Sequence, residues 1–256
     1  MFELYKIVFH QGKQFIPNVT TAKVPGIFRG RPIISSEKVN ETELVELCPV
    51  EAISASPVSI NIGKCTFCGE CALRFPGKIT FTTDYKISTN ERNRLIIKEG
   101  DEKPVEVNPD TVRKEIHRVF GRSLKLRQIS AGGDNSCEWE LNAANNVQFD
   151  MGRFGIEFVA SPRHADGIVI TGPITENMAE AVQICYDAVP DPKIIVLVGT
   201  EAISGGLFAD SPAVDRSFLD KYPIDLYIPG NPAHPLTIIN GLLDLTRKKE
   251  LNRQTK

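Results

Sequence analysis

Short runs of apolar residues alternate with polar segments along the second half of the chain. Each run is rich in Val, Ile or Leu, and five of them predict β-strands. They cover residues 124–129, 155–159, 167–171, 193–199 and 225–229. Between the third and fourth runs, segment 175–189 places Met178, Val182 and Cys185 at spacings of four and three, as in the apolar stripe of a helix on a sheet. Strands that alternate with helices predict a mostly parallel sheet.

The loops that follow these strands are where such a sheet would hold a ligand. An open parallel sheet binds its ligands beyond the carboxyl ends of its strands. We therefore expect loops 132–137, 200–206 and 230–234 to converge at one edge of the sheet. A final helix over about 235–251 is expected to follow the last loop, with a basic tail after it.

The first half of the chain has a different pattern. It shows little helical periodicity and is rich in Pro and Gly, with brief apolar runs at 59–62 and 78–82 on either side of a group of cysteines. This pattern is typical of a small domain organised by a ligand. The charged stretch 84–108 predicts a hairpin or a linker.

A change of pattern places a domain boundary near residue 105. We expect a small α+β domain over 1–105 and an α/β domain over 106–256. At the start of the second domain, Asn108 and Pro109 predict a helix N-cap and first turn, and Gly121 predicts its end.

Composition excludes several classes of protein. The chain has 256 residues, 41% of them hydrophobic and 24% charged, with a formal net charge of -2. No run of Lys and Arg is interleaved with aromatic residues, so we expect no nucleic-acid partner. The longest apolar run, 194–198, is far too short to span a bilayer, so direct membrane insertion is not expected. We expect a cytoplasmic protein that reaches the inner membrane only through its partners.

Six cysteines carry the strongest chemical signal, because three of them lie within one short segment. In the sequence Cys65-Thr-Phe-Cys68-Gly-Glu-Cys71 one loop can present three thiolates to three irons of a cuboidal cluster. A Cys-Pro pair normally closes this motif, but Phe75-Pro76 stands at that place.

The missing fourth ligand is predicted upstream, at Cys48-Pro49. In two-cluster ferredoxins the fourth cysteine of each run binds the other cluster, and segment 35–43 lacks the triplet that would accompany Cys48. The cysteines therefore predict one [4Fe-4S] cluster in a ferredoxin-type domain, held by Cys48, Cys65, Cys68 and Cys71. A zinc site built from the same four thiolates is the alternative.

A family resemblance rests on three segments of the first half. They read Pro25-Gly-Ile-Phe-Arg-Gly-Arg-Pro32, Cys48-Pro49 and Gly63-Lys-Cys-Thr-Phe-Cys-Gly-Glu-Cys71. Together they resemble the ferredoxin-like subunit of formate hydrogenlyase-type (group 4) membrane-bound [NiFe] hydrogenases, which is related to the two-cluster subunit of respiratory complex I. The resemblance implies an electron relay from which one of the family's two clusters has been lost.

The second half resembles a different subunit of the same complexes, as if the two were fused. The segments that carry this resemblance include Phe120-Gly-Arg-Ser-Leu124, Phe149-Asp-Met-Gly-Arg-Phe-Gly155, Ala160-Ser-Pro-Arg163, Gly205-Gly206 and Ile228-Pro-Gly230. They are similar to the small subunit of these hydrogenases and to the 20 kDa subunit of complex I. The resemblance implies a flavodoxin-like domain that docks against a large catalytic subunit, within an assembly that also has membrane subunits.

The resemblance also implies four cluster-ligand positions in the second domain. They fall at Asp134, Cys137, Glu201 and Asn231, so only one thiolate of four remains. Two carboxylates and an amide are poor substitutes for thiolates on iron. We expect no cluster here, and either a hydrogen-bonded vestige or a divalent cation held by the two carboxylates.

Three functions stay open from the sequence. The first is an electron-transfer subunit of a hydrogenase-related, complex I-like assembly. The second is a redox-silent structural subunit of such an assembly, and the third is a free-standing reductase or sensor. No G-x-G-x-x-G follows a strand, and no catalytic residue can be assigned. We expect a non-catalytic subunit of an oxidoreductase complex.

Overall fold

The second half of the chain forms one parallel sheet in a computed structural model, which describes residues 2–12 and 14–247. Its five strands lie in the order β10-β9-β8-β6-β7, and every neighbouring pair is parallel. The strands are β6 (Leu124–Ser130), β7 (Ile156–Phe158), β8 (Gly167–Thr171), β9 (Ile194–Val198) and β10 (Leu226–Ile228). All five lie where the apolar runs predicted them, and the parallel sheet is confirmed.

Strands β8 and β9 form the centre of this sheet, and each of their residues is buried. Such continuous burial is typical of parallel strands, because helices cover both faces of the sheet. Helices of the second half are α4 (Lys114–Phe120), α5 (Ser136–Ala144), α6 (Glu176–Ala188), α7 (Thr200–Ser204), α8 (Ser217–Lys221) and α9 (Pro235–Thr246). The carboxyl ends of the strands thus define one edge, from which α5 and α7 begin.

Helices α4 and α9 were both predicted from sequence signals at their ends. The helix expected to start at Asn108 begins instead at Lys114, because Asn108 is engaged elsewhere: its Nδ2 donates to Glu91 at 2.6 Å and its Oδ1 accepts the Asp110 N–H at 3.1 Å. Gly121 does follow the last residue of α4, as predicted. The last helix, α9, ends at Thr246, and the predicted extension over 248–251 lies outside the described residues.

The first half combines short helices with two small antiparallel sheets. Its strands are β1 (Pro32–Ile34), β2 (Ile53–Ser54), β3 (Ser59–Asn61), β4 (Ile79–Phe81) and β5 (Ile96–Lys98). Its helices are α1 (Phe2–Gln11), α2 (Glu41–Glu46) and α3 (Glu70–Arg74). Strand β1 pairs with β4, and β3 pairs with both β2 and β5. The mixed character agrees with the α+β expectation, while a specifically ferredoxin-like fold stays a prediction.

The stretch 84–108 is neither a separate hairpin nor a linker, contrary to the expectation. Residues 96–98 form β5, the edge strand that pairs with β3. Thr89 pairs with Tyr227 beside the parallel sheet, through N–H···O bonds of 3.0 and 2.8 Å. The many charged side chains suggested a solvent-exposed connection. The backbone that carries them is instead hydrogen-bonded to both halves of the chain.

Two hydrophobic clusters form the core, and both cross the predicted boundary at residue 105. One contains Ile97 together with Ile170, and the other contains Tyr85 together with Leu236. The boundary itself stays a prediction. No helix within residues 2–12 and 14–247 is long and apolar enough to cross a bilayer.

Candidate functional site

All four cysteines of the predicted cluster line one pocket in the first half of the chain. Cys48 follows α2, Cys65 and Cys68 lie in the loop after β3, and Cys71 lies in α3. The cavity between them is small, with a volume of about 20 Å³. Its other lining residues are mostly apolar and include Leu47, Val50, Ile53, Ile60 and Phe81. All four predicted cysteines thus line the same pocket, although Cys48 comes from a separate segment, and their role as ligands stays a prediction.

The loop that carries Cys65 and Cys68 has a backbone shaped for wrapping a group. Phe67 and Gly69 both have positive φ, at 54° and 81°, so the chain turns sharply twice between Cys65 and Cys71. The Phe67 N–H donates to Cys65 Sγ at 3.3 Å, and the Ala52 N–H donates to Cys48 Sγ at 3.3 Å. Hydrogen bonds of this kind stabilise thiolate charge and tune iron-sulfur centres.

Burial disfavours ionised thiols in this pocket unless a cation is present. Burial, opposed by the Phe67 N–H and reinforced by the neighbouring thiols, raises the pKa of Cys65 to about 12. Burial first and Cys68 second raise the pKa of Cys71 to about 11. A bound metal centre reverses this preference, because a coordinating thiol is deprotonated. The donor set of four thiols with N–H donors and an apolar lining fits an iron-sulfur cluster.

The thiols line the pocket without meeting at one point. Across residues 2–12 and 14–247, no group of three or more His, Cys, Asp or Glu side chains is arranged to hold a metal ion. The finding applies alike to the predicted cluster, to the zinc alternative at the same four cysteines and to the divalent cation considered at Asp134 and Glu201, so all three stay predictions.

The second predicted site lies at the carboxyl edge of the parallel sheet, where its three loops converge as expected. The Asp134 N–H donates to Glu201 Oε2 at 3.2 Å, and the Thr200 N–H donates to the Gly230 carbonyl at 2.9 Å. Cys137, in the first turn of α5, accepts the Ala233 N–H at its sulfur. Protein atoms therefore pack closely around the one remaining thiol.

The two predicted carboxylates, Asp134 and Glu201, find hydrogen-bond partners other than the Asn231 amide. Asp134 turns to its own loop, where its Oδ1 accepts the Ser136 N–H at 2.9 Å and the Ser136 hydroxyl at 2.6 Å. Asn231 instead lines a cleft toward Phe67 and His234. Burial, with the negative charge of Asp134 second, raises the pKa of Glu201. The side-chain amide of Asn231 is not needed here, because both carboxylates accept hydrogen bonds from backbone N–H or hydroxyl groups.

Two charged residues near this edge, the buried Glu138 and the partly buried Arg216, were not identified from the sequence. Glu138 accepts hydrogen bonds from the Ser130 hydroxyl at 2.6 Å and the Thr171 hydroxyl at 2.7 Å. Arg216 donates to the carbonyls of Glu201, Ala202 and Ile203 at 3.3, 2.8 and 3.0 Å, which caps the end of α7. The hydroxyl residues Ser130 and Thr171, at the ends of β6 and β8, could have indicated a buried acidic partner such as Glu138. No sequence pattern indicated the role of Arg216.

Comparison with known proteins places relatives on the second half of the chain. The family model described as NADH ubiquinone oxidoreductase, 20 kDa subunit, matches residues 135–245. A probable membrane-bound hydrogenase subunit mbhJ of Pyrococcus furiosus is 35% identical over 129 residues, which are 50% of this chain and 77% of the relative. An NADH-quinone oxidoreductase subunit of Clostridium beijerinckii is 45% identical over 122 residues, 46% of this chain and 72% of the relative.

One solved structure shows a weaker likeness. A chain of the membrane-bound sulfane sulfur reductase, an archaeal respiratory membrane complex, shares 29% sequence identity with a TM-score of 0.44. The match covers 55% of this chain and 75% of that chain.

Proposed function

Since the chain belongs to the family of the 20 kDa subunit of NADH:ubiquinone oxidoreductase, we propose that it is an iron-sulfur electron-transfer subunit of a hydrogenase-related, complex I-like assembly at a membrane. The observation that carries this proposal is the gathering of Cys48, Cys65, Cys68 and Cys71 around one pocket. The names of its relatives, a membrane-bound hydrogenase subunit and a quinone oxidoreductase subunit, support the kind of assembly.

Each part of the first domain has a task in this proposal. The four thiolates hold one [4Fe-4S] cluster, which supplies one-electron transfer when bound. The N–H groups of Ala52 and Phe67 donate to two of the sulfurs. Apolar residues such as Ile60 and Phe81 line the pocket and limit the entry of water. Cys68 is the exposed member of the set, so it marks the side from which an electron partner approaches.

The second domain serves mainly for docking in this proposal. Its family membership supports binding to a large hydrogenase-like or complex I-like subunit and, through that subunit, to membrane subunits. Trp139, the single tryptophan, is 70% exposed on α5 beside the substituted site and is a suitable anchor for such a partner. Residues 1–105 then correspond to a ferredoxin-like unit fused to this docking unit.

Substitution of one cysteine tests the assignment of the ligands. Cys48→Ser should remove most of the bound iron and the visible absorption of the anaerobically purified protein, because a hydroxyl is a poor iron ligand. Cys185→Ser is the matched control, since Cys185 lies half-buried on α6, away from the pocket. Full iron content and an unchanged spectrum in Cys48→Ser would remove Cys48 from the ligand set.

A redox-silent structural role is the second candidate, and one observation favours it. The second site offers Cys137 as its single thiol, and this thiol packs against Gly199 and the Ala233 N–H. Without a cluster there, an electron leaving the first domain has no second cluster to accept it among residues 2–12 and 14–247. Isolation of the native assembly separates the candidates: reduction of the cluster during turnover supports electron transfer, whereas a cluster that stays oxidised supports the structural role. Recovery of a lone monomer would favour a free-standing reductase or sensor.

A further inference from the structure

Arg29 lies directly over the loop that carries Cys65 and Cys68. Its guanidinium donates to the Phe67 carbonyl at 3.1 Å. A Cβ atom added to Gly69 would stand 2.6 Å from Arg29 Nε, so the guanidinium covers the residue next to Cys68. Both Phe67 and Gly69 belong to the short loop between Cys65 and Cys71. The positive charge therefore lies on the outer side of this loop, in a neighbouring cleft that shares Gly69 and Phe81 with the four-cysteine pocket.

The backbone on either side of Arg29 is fixed. The Gly30 N–H donates to the Thr82 carbonyl at 2.7 Å, and the Arg31 N–H donates to the Asp84 carbonyl at 3.0 Å. On the other side, the Phe28 ring meets the edge of the His234 ring at 5.3 Å. Arg29 is thus held between the two halves of the chain, and its side chain extends toward the cysteine loop rather than into solvent alone.

The charge of Arg29 is not neutralised by a carboxylate in the described ranges, where this side chain takes part in no ion pair with Asp or Glu. Arg74, at the end of α3, shows the contrast, because it pairs with Glu43 at 3.0 Å. The positive charge of Arg29 therefore acts on the cysteine loop without a neutralising partner. Because the side chain is exposed, solvent and salt screen this effect in part.

We propose that Arg29 is a positioning residue that raises the reduction potential of the site formed by Cys48, Cys65, Cys68 and Cys71. This inference rests on the proposed function, because it requires that the four thiolates hold a cluster. Adding one electron from an external reductant makes the site more negative by one charge, with no bond formed or broken. A fixed positive charge nearby stabilises that added charge and so favours the reduced form.

A redox titration of three variants tests the inference. Arg29→Gln removes the charge and keeps a donor for the Phe67 carbonyl, whereas Arg29→Lys keeps the charge and loses the planar guanidinium. Arg118→Gln removes an exposed charge from α4 and serves as the control. Each protein is reconstituted, its iron is measured, and its potential is titrated with dithionite at low and high salt. Within the part of the chain that the structure describes, Arg29 makes one side-chain hydrogen bond, so both of its variants are expected to fold.

We expect iron content to be equal in all proteins and the potential of Arg29→Gln to fall. The equilibrium constant for one-electron reduction should drop about threefold to tenfold, or roughly 30–60 mV at 59 mV per tenfold. The drop should shrink at high salt, as expected for an exposed charge. Arg29→Lys should stay near the wild type, and Arg118→Gln should match it.

Two results would overturn the inference while leaving the proposed function intact. One is an unchanged potential in an Arg29→Gln protein that carries a full complement of iron. The other is an equal, salt-independent shift in the Gln and Lys variants with an altered spectrum of the reduced protein, which would mean that Arg29 acts through loop geometry alone. A wild-type protein that binds no cluster would refute both proposals.

Discussion

Glu201 shows most clearly what a single residue does at the substituted second site. Its carboxyl group is buried, and it accepts the Asp134 N–H at 3.2 Å. The resemblance placed Glu201 at a ligand position, and the fold brings it beside Asp134 and Cys137 as that placement implied. Its hydrogen-bond partner could not be predicted from the sequence, because the donor is a backbone N–H whose direction depends on the turn at Gly132 and Gly133.

The stability of the protein should depend on the ionisation of Glu201. Burial and the charge of Asp134 raise its pKa in the folded state, so folding favours the protonated form. The resulting stability is fully present below the unfolded-state pKa and is lost as the pH rises through the folded-state pKa. Glu201→Gln should therefore become more stable than the wild type as the pH rises through this window, and the two should differ least at acidic pH.

Urea unfolding at several pH values measures this effect. Glu115→Gln, an exposed change on α4, is the control and should follow the wild type throughout. A constant difference between Glu201→Gln and the wild type at every pH would show that ionisation of Glu201 does not contribute.

Among the elements, the strands and the longer helices were predicted correctly from the apolar pattern. Segments whose conformation depends on side-chain contacts or distant pairing were not. The five parallel strands and α6 lie where predicted, because burial on both faces imposes apolar runs and stripes. The start of α4 was missed because Asn108 binds Glu91 instead of capping a helix. The charged stretch 84–108 was missed because its pairing partners, β3 and Tyr227, are distant in the sequence.

The turn from β9 into α7 should tolerate no side chain at Gly199. This residue has φ of 90°, and an added Cβ would overlap the Cys137 sulfur. Gly199→Ala should lower the free energy of unfolding by about 1–3 kcal/mol through overpacking and backbone strain.

A double-mutant cycle separates the two causes of that loss. Cys137→Ala removes the sulfur, so the pair Gly199→Ala with Cys137→Ala should recover the packing part of the loss but retain the strain. Strictly additive effects of the two substitutions would mean that Gly199 and Cys137 are not in contact. Contact between them is what fills the second site with protein atoms.

At the scale of the whole molecule, the two halves share their cores. Tyr85 donates its hydroxyl to the Val19 carbonyl at 2.9 Å, and Asn240 of α9 donates to the same carbonyl at 3.0 Å. The sequence predicted two units because the pattern of apolar and polar residues changes near residue 105. It could not predict how the units pack, because apolar residues in short irregular segments carry no periodic signal.

Dividing the chain at residue 105 should expose apolar surface on both fragments. We expect fragment 106–256 alone to be insoluble or to bind a dye that reports exposed apolar surface, because Tyr85 and Val19 no longer cover α9. Co-expression with fragment 1–105 should restore a soluble complex. A stable, monomeric fragment 106–256 with a cooperative unfolding transition would show that the second half folds independently.

The content of iron and acid-labile sulfide per chain tests the central claim most directly. We expect about four irons and about four sulfides per chain after anaerobic purification, and one spin system after reduction, since a single cubane is held by Cys48, Cys65, Cys68 and Cys71. About eight of each would mean that Asp134, Cys137, Glu201 and Asn231 still hold a second cluster. One zinc per chain with no sulfide would contradict the account altogether.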